Sequence, residues 1–146
     1  MKIHYPCTLQ KDEDGRYLVT FPDFPEALTE GETEEEALFN ASEVLTLTLE
    51  GRAEEKMPIP LPIKRASGAM VYPSSRVQAA LLIRFNRKGR KKADIARSLG
   101  TSWPAVSHME DLQHWSTLRQ LDKTAAVLGK RLVVSFEDSP VRPRTH

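Results

Sequence analysis

The sequence predicts an α+β protein, in which a β-β-β-α-β domain is followed by a small helical domain that ends in a β-strand. Three observations lead to this prediction. Apolar residues alternate with period two near the start of the chain, and they recur at helical spacing after residue 33 and again after residue 74. The two halves of the chain also differ sharply in charge. We expect residues 1–68 to form the first domain, whose sheet can extend to residue 73, residues 74–138 to form the second, and residues 139–146 to be a flexible tail.

The charge of the chain is divided unevenly. Residues 1–60 carry five Lys and Arg against fourteen Asp and Glu, a net charge of −9, whereas residues 61–146 carry sixteen against six, a net charge of +10. This asymmetry predicts two surfaces with two kinds of partner. The basic half indicates nucleic acid, and the acidic half indicates a basic partner or mimicry of a polyanion. The alternative is that two solvated faces differ by chance.

Two strands joined by a tight turn open the first domain. Residues 3–9 and 17–21 each show the alternation of a half-buried strand, and Gly15 between them can take the positive φ of a hairpin turn. The prolines that follow residue 21 end this hairpin, because proline cannot donate a ladder hydrogen bond. Residues 27–30 are a short third strand.

One helix and a returning strand complete the first domain. Thr33 and Glu36 form a capping-box pattern, and apolar residues follow at helical spacing until Gly51, where we expect the helix to end. Residues 57–62 alternate proline with apolar residues, which predicts an extended, polyproline-like segment. Residues 69–72 are predicted to form a fourth strand that returns to the sheet.

Residues 92–109 predict two short helices joined by a tight turn. Gly100 ends the first helix because it can take the left-handed conformation. Ser102 can cap the second helix, and Pro104 fits its first turn, where a missing N–H costs little. Ala96 is small enough for a point where two helices cross. The stretch resembles the helix-turn-helix of the Cro/lambda-repressor class, which implies that the second helix enters the major groove of DNA.

This resemblance and the basic charge place a candidate DNA-binding surface on and before the second helix. Basic side chains that contact phosphates supply affinity, whereas polar groups at base edges read sequence. Trp103 can pack on a thymine methyl or a sugar edge, or it can be a core residue, and the basic run at residues 87–92 can be only a solvated face. The candidate DNA-contacting residues are Arg87, Lys88, Lys91, Lys92, Ser102, Trp103, Ser107 and His108.

A helix and a strand are predicted to end the second domain. Thr117 and Gln120 form a second capping box, and Gly129 follows as the helix stop. Residues 132–136 predict a final strand. An exposed apolar edge strand invites a partner, and DNA readers of this class bind paired half-sites. We therefore expect a homodimer or homotetramer, in which this strand pairs across a two-fold axis.

A second resemblance lies in the first domain. A strand there ends in Phe-Pro-Asp-Phe-Pro, and a Thr-x-Gly-x-Thr-x-x-Glu-Ala run then opens the helix. This stretch resembles the signature of HicB antitoxins, and the order of motifs persists over residues 3–137. The residues that fill the second run are Thr29, Gly31, Thr33, Glu36 and Ala37.

The HicB resemblance implies a partial RNase H-like fold without nuclease activity. It also implies a HicA-like toxin partner, which is a small ribonuclease of the double-stranded-RNA-binding type, and repression of the protein's own operon. The acidic half agrees with this, because an RNA-binding toxin should be basic and opposite fields steer association. Many relatives carry Pro-Gly-Cys where residues 25–27 here are Pro-Glu-Ala, so a contact by that cysteine is in doubt. The candidate toxin-contacting residues, which can also serve only turn chemistry and solubility, are Asp23, Glu26, Glu30 and Glu32.

Two other functions compete with this interpretation. An RNase H-like nuclease needs convergent carboxylates for two metal ions, but residues 3–9 and 17–21 carry no Asp or Glu and the four histidines are scattered. A stand-alone transcriptional regulator with a ligand- or protein-sensing first domain needs an apolar pocket, for which about sixty residues leave little room. We expect no catalysis, no cofactor, no metal and a buried Cys7. A cytoplasmic protein is expected, since no stretch approaches the ~18 apolar residues of a membrane span.

Overall fold

The structure is a computed structural model that describes residues 1–62 and 68–139. The chain divides into two compact units, Met1–Ser74 together with residues 136–139, and Ser75–Ser135. The first unit combines a sheet with a helix and the second is helical, so the predicted α+β class is confirmed. No helix in the described ranges is both long and apolar enough to span a lipid bilayer. Apart from Ser139, the predicted flexible tail lies outside the described residues.

Four antiparallel strands form the sheet of the first unit: β1 (Tyr5–Lys11), β2 (Tyr17–Phe21), β3 (Phe24–Gly31) and β4 (Ala69–Val71). Their order across the sheet is β3-β2-β1-β4, so β3 is an edge strand. Pro25 is tolerated in β3 because an edge strand has one side without ladder bonds. For this reason β3 begins three residues before the predicted start, and the tight turn between β2 and β3 consists of Pro22 and Asp23.

A single helix, α1 (Glu34–Glu54), packs on one face of this sheet. Its buried positions recur every four residues, which is the spacing of one helical face. Beneath it, the rings of Tyr5 and Phe24 meet edge to face with 4.9 Å between their centroids. The opposite sheet face carries exposed side chains, including the cross-strand neighbours Thr20 and Leu28. The buried residues of α1 are Ala37, Ala41, Leu45 and Leu49.

Helix α1 begins as predicted but ends one turn later. The Thr33 Oγ1 accepts a hydrogen bond from the Glu36 N–H at 3.1 Å, which caps the helix. The helix continues past Gly51 to Glu54. The physical reason is Arg52, whose guanidinium binds the Glu26 carboxylate of β3 with N–O distances of 2.7 and 2.8 Å and so anchors the last turn.

Four helices form the second unit: α2 (Ser75–Arg87), α3 (Lys92–Leu99), α4 (Trp103–Met109) and α5 (Leu118–Val127). Helix α5 starts at the predicted capping box, in which Thr117 and Gln120 each bond the backbone of the other. Leu99, Leu121 and Val127 pack around a small common core. That core consists of Ile83, Ile95, Ala96, Val106, Met109 and Leu128.

The predicted final strand at residues 132–136 does not form, and this prediction was wrong. Residues 131–139 are neither helix nor strand. The reason is that the alternating apolar pattern needs a strand beside it to complete a ladder, and the sheet of the described chain contains only β1 to β4. Leu132 is half-buried, but the other apolar side chains of this segment are in solvent, with Val133 78%, Val134 69% and Phe136 fully exposed.

Helix α1 and strand β3 approach so closely that a side chain at Gly31 would not fit. A Cβ at Gly31 would lie 2.4 Å from the backbone N of Ala37. We therefore expect Gly31→Ala to lower the free energy of unfolding by about 1–3 kcal/mol, the usual cost of overpacking. Urea denaturation followed by circular dichroism measures this change.

The matched control is Gly51→Ala inside α1, where a Cβ would meet nothing within 4 Å. Alanine should raise helix stability there by about 0.5–1 kcal/mol. Opposite signs for the two variants are expected, and a neutral Gly31→Ala would contradict the close approach.

Candidate nucleic-acid and protein-binding surfaces

A tight turn that requires glycine joins α3 to α4. Gly100 follows α3 in the left-handed region, with φ 68° and ψ 32°. The Ser102 Oγ then accepts from the Ala105 N–H at 3.4 Å, and Pro104 lies in the first turn of α4. Each of these features agrees with the local pattern in the sequence. Because both helix ends are capped, the turn orients α4 against α3.

The start of α3 and the solvent-facing side of α4 form one surface. The Lys92 Nζ donates to the Ser107 Oγ at 3.1 Å, which joins the two helices. Trp103 is 57% exposed, so it is not a core residue. His108 and Lys91 are also exposed. The structure thus brings side chains of α3 and α4 together on a surface that can offer hydrogen-bond donors and positive charge to a ligand.

The basic run before α3 has two different roles. Arg87 holds the carboxylate of Glu110 with N–O distances of 2.6 and 3.0 Å, and its third nitrogen donates to the Arg90 carbonyl at 2.9 Å. The Glu110 side chain is only 6% exposed. Arg87 therefore ties the end of α2 to the end of α4, while Lys88 lies exposed in the turn that follows.

In the first unit, the candidate acidic residue Glu26 forms an ion pair within the protein. The Arg52 guanidinium that binds Glu26 lowers the pKa of this carboxyl to about 2. The same guanidinium lies 4.7 Å from the centroid of the Phe24 ring. Glu26 thus keeps its charge across the physiological range, and part of that charge is compensated by Arg52.

Glu30 and Glu32 share a single cation. Arg16 lies 3.3 Å from a carboxylate oxygen of Glu30 and 3.5 Å from one of Glu32. Both acids are exposed, so solvent weakens these ion pairs. The fourth candidate, Asp23, lies in the β2–β3 turn; burial of the ring raises the pKa of Tyr5, and the negative charge of Asp23 raises it further. The candidates are therefore distributed along β3 and its two ends.

Comparisons with known proteins identify the family. The model of the HicB-like antitoxin of bacterial toxin–antitoxin systems matches residues 4–72. The chain is 34% identical to Antitoxin HicB 1 of Photorhabdus laumondii over 92% of this chain and 88% of that protein. It is 31% identical to Antitoxin HicB of Escherichia coli K12 over 89% of this chain and 96% of that protein. The chain belongs to the HicB antitoxin family.

The family has a regulatory role and its members are not enzymes, so this HicB chain acts as an antitoxin in a toxin–antitoxin system. The solved N-terminal domain of the Burkholderia pseudomallei antitoxin HicB aligns with 49% of this chain and 99% of that domain, at 24% identity and a TM-score of 0.43. Among the described residues of the HicB chain, no group of His, Cys, Asp or Glu could hold a metal ion.

Sequence reasoning missed several residues that shape the second unit of this HicB protein. Glu110 directly follows α4 and binds Arg87. Helical or strand periodicity in the sequence does not predict this ion pair. Arg76 donates to the Leu112 carbonyl and lies 5.9 Å from the centroid of the Trp115 ring. Trp115 itself could have drawn attention to this turn in the sequence. A tryptophan between two predicted helices is expected either to pack in the core or to contact a binding partner.

Proposed function

We propose that this antitoxin neutralises a HicA-like, mRNA-cleaving toxin through its first unit and represses its own operon through a helix-turn-helix in the second. Family membership supports the toxin partner. The geometry of α3, the Gly100 turn and α4 supports the DNA partner. Both activities act on molecules of the cytoplasm, which is the compartment that we propose. The β-β-β-α-β order of the first unit supports the proposal of a partial RNase H-like fold.

The toxin interface that we propose lies along β3. Asp23, Glu26, Glu30 and Glu32 follow one another at this edge of the sheet, within a half of net charge −9. A ribonuclease that binds RNA presents positive charge, so an acidic edge strand steers it into an encounter complex. Arg16 and Arg52 hold three of these carboxylates in defined places, which prepares the surface without neutralising it completely.

The first experiment is co-expression of this chain with the small protein encoded beside its gene, one of them tagged. A partner that is toxic alone and harmless in the recovered complex is expected. In surface plasmon resonance, Glu30→Gln with Glu32→Gln should lower the association rate constant about three- to tenfold at low salt, and the difference should shrink at high salt.

The control for this variant removes the same charge elsewhere. Glu54→Gln with Glu55→Gln changes two exposed acids at the end of α1. An association rate that falls equally in both double variants would show a general field effect and would overturn the β3 interface.

The DNA interface that we propose is the joint surface of α3 and α4. Ser102, Trp103, Ser107 and His108 are the groove-facing contacts, and Lys88, Lys91 and Lys92 contact phosphates. The single observation that carries this proposal is the capped α3–α4 turn, which leaves a helix with exposed polar and aromatic side chains beside a positive helix start. Arg87 supports this surface through Glu110.

Substitutions of single residues on this surface should distinguish contacts that supply DNA affinity from contacts that read the base sequence. We expect His108→Ala to weaken binding to the protein's own upstream region by about 1–3 kcal/mol with little effect on unrelated DNA. Lys91→Ala should weaken both and lower the slope of log K against log salt by about 1. Fluorescence anisotropy at several salt concentrations measures both effects, and Lys123→Ala on α5 is the charge-matched control. Equal losses on both DNAs for His108→Ala would exclude it from base reading.

We propose a homodimer or homotetramer that assembles through residues 132–136. Leu132 and Val133 of this segment help to line a groove of about 90 Å³ whose other apolar residues include Leu82 of α2, Leu121 of α5 and Leu128. Val133 and Val134 are exposed, so burial in a second copy would remove apolar surface from water.

Light scattering tests this dimer. Val133→Glu with Val134→Glu should shift the mass toward the monomer, because two charges would have to enter an apolar contact. Leu47→Glu, which alters an equally exposed apolar residue on α1, should not shift it. An unchanged mass in the double variant would rule out this interface.

A further inference from the structure

Both tryptophans of the chain are largely exposed, and they flank the same helix. Trp103, at the start of α4, is 57% exposed, and Trp115, six residues after its end, is 67% exposed. Tryptophan offers a large apolar surface whose removal from water is favourable. Tryptophan is also enriched at binding interfaces relative to the rest of a protein surface. Trp103 already belongs to the proposed DNA surface, but Trp115 has no role in it.

The turn that carries Trp115, residues 111–116, is held in place by the rest of the unit. Leu112 is buried in the middle of the turn, and Arg76 of α2 donates to its carbonyl. The His114 N–H donates to the Asp111 carbonyl at 3.0 Å. The Arg76 guanidinium also lies near the face of the Trp115 ring, a cation–π arrangement. The turn therefore presents the indole in a preset position.

The turn continues the exposed side of α4. The imidazole of His114 contacts that of His108 at an angle of 86°, with 5.3 Å between the ring centroids. His108 lies in the last turn of α4 on its solvent-facing side. The Trp115 turn and the proposed groove-facing residues are thus neighbouring parts of one surface.

The charges around this turn favour a polyanion as its ligand. Glu110, just before the turn, is paired with Arg87, whereas the exposed Asp111 accepts from the neutral Gln113 N–H at 2.9 Å, which does not cancel its charge. The permanently positive groups of the same surface are Arg76 beside Trp115, and Lys91 and Lys92 at the start of α3. These three cations outnumber the single uncompensated carboxylate of Asp111, so the surface favours the phosphates of DNA over a basic protein.

We propose that residues 111–116 form a second DNA-contacting element, in which Trp115 packs against the sugar–phosphate backbone beside α4 and His114 adds a contact next to His108. The proposal rests on the proposed operator binding and extends its surface beyond the helix-turn-helix. Because Arg76 holds both the turn and the ring, it is a positioning residue.

Intrinsic fluorescence tests this element directly. Trp103→Phe leaves Trp115 as the sole tryptophan, and Trp115→Phe leaves Trp103. Each variant is titrated with a duplex that covers the region upstream of the chain's own gene, and with an unrelated duplex of equal length. We expect DNA to change the emission of Trp115 and to protect it from acrylamide. Trp115→Ala should weaken upstream-duplex binding about 5- to 20-fold, because the apolar surface that the indole buries against the sugars would be lost.

Controls distinguish a failure of the second DNA-contacting element from a failure of the proposed operator binding. Leu47→Ala truncates an equally exposed apolar residue on α1 and should bind the duplex like the unmodified chain. If the unmodified chain binds neither duplex, operator binding itself fails. If it binds, but Trp115 emission is unchanged and Trp115→Ala stays within twofold, only the second element is overturned. Protection of Trp115 by the toxin instead of DNA would also overturn it.

Discussion

The first unit depends on one close contact, the approach of α1 to β3 at Gly31. Four strands and one helix provide only a thin core, so the helix must lie near the sheet for its apolar face to exclude water. Small residues make this possible: Gly31 in the strand faces Ala37 in the first turn of the helix, and Ala41 follows one turn later. The Thr33 cap fixes where the helix starts relative to that contact. The family signature around residues 29–37 is therefore a packing motif.

This packing also restricts where charged side chains can lie. With one sheet face and the inner side of α1 occupied by apolar groups, carboxylates are restricted to the outer surfaces and to the edge strand. Arginine then sets their arrangement. Arg52 reaches from the helix to Glu26, and Arg16 reaches from β1–β2 to the end of β3. Two arginines therefore bind three of the carboxylates at β3 and its end.

The second unit is rich in cations, and these must be accommodated around a small apolar core. Arg87 is turned inward onto the nearly buried Glu110, where the pair joins two helices. A buried charge without its partner is strongly unfavourable, so this pair acts as a constraint on helix orientation. Basic residues that lack such partners can remain in solvent. Neighbouring residues of one basic run thus divide into structural and surface roles.

Short-range sequence patterns predicted most helices and strands correctly. The features that depend on contacts between distant residues were not predicted. Thr33, Gly100, Ser102 and the Thr117–Gln120 box are short-range patterns whose physics lies within four residues, and the structure agrees with each. The extra turn of α1 and the absence of a strand at residues 132–136 depend on partners distant in the chain or absent from it. The same holds for the site: α4 was visible in the sequence, but the Arg87–Glu110 pair was not, because contact across 23 residues leaves no periodicity.

Cys7 gives the first unit a built-in reporter of its own opening. The thiol is 2% exposed within β1, and burial raises its pKa to about 11. Almost no thiolate exists at neutral pH in the folded state, and a disulfide reagent cannot reach the sulfur until the sheet separates. Since this is the only cysteine in the chain, the rate of thiol labelling measures how often the first unit opens in the unmodified, intact protein.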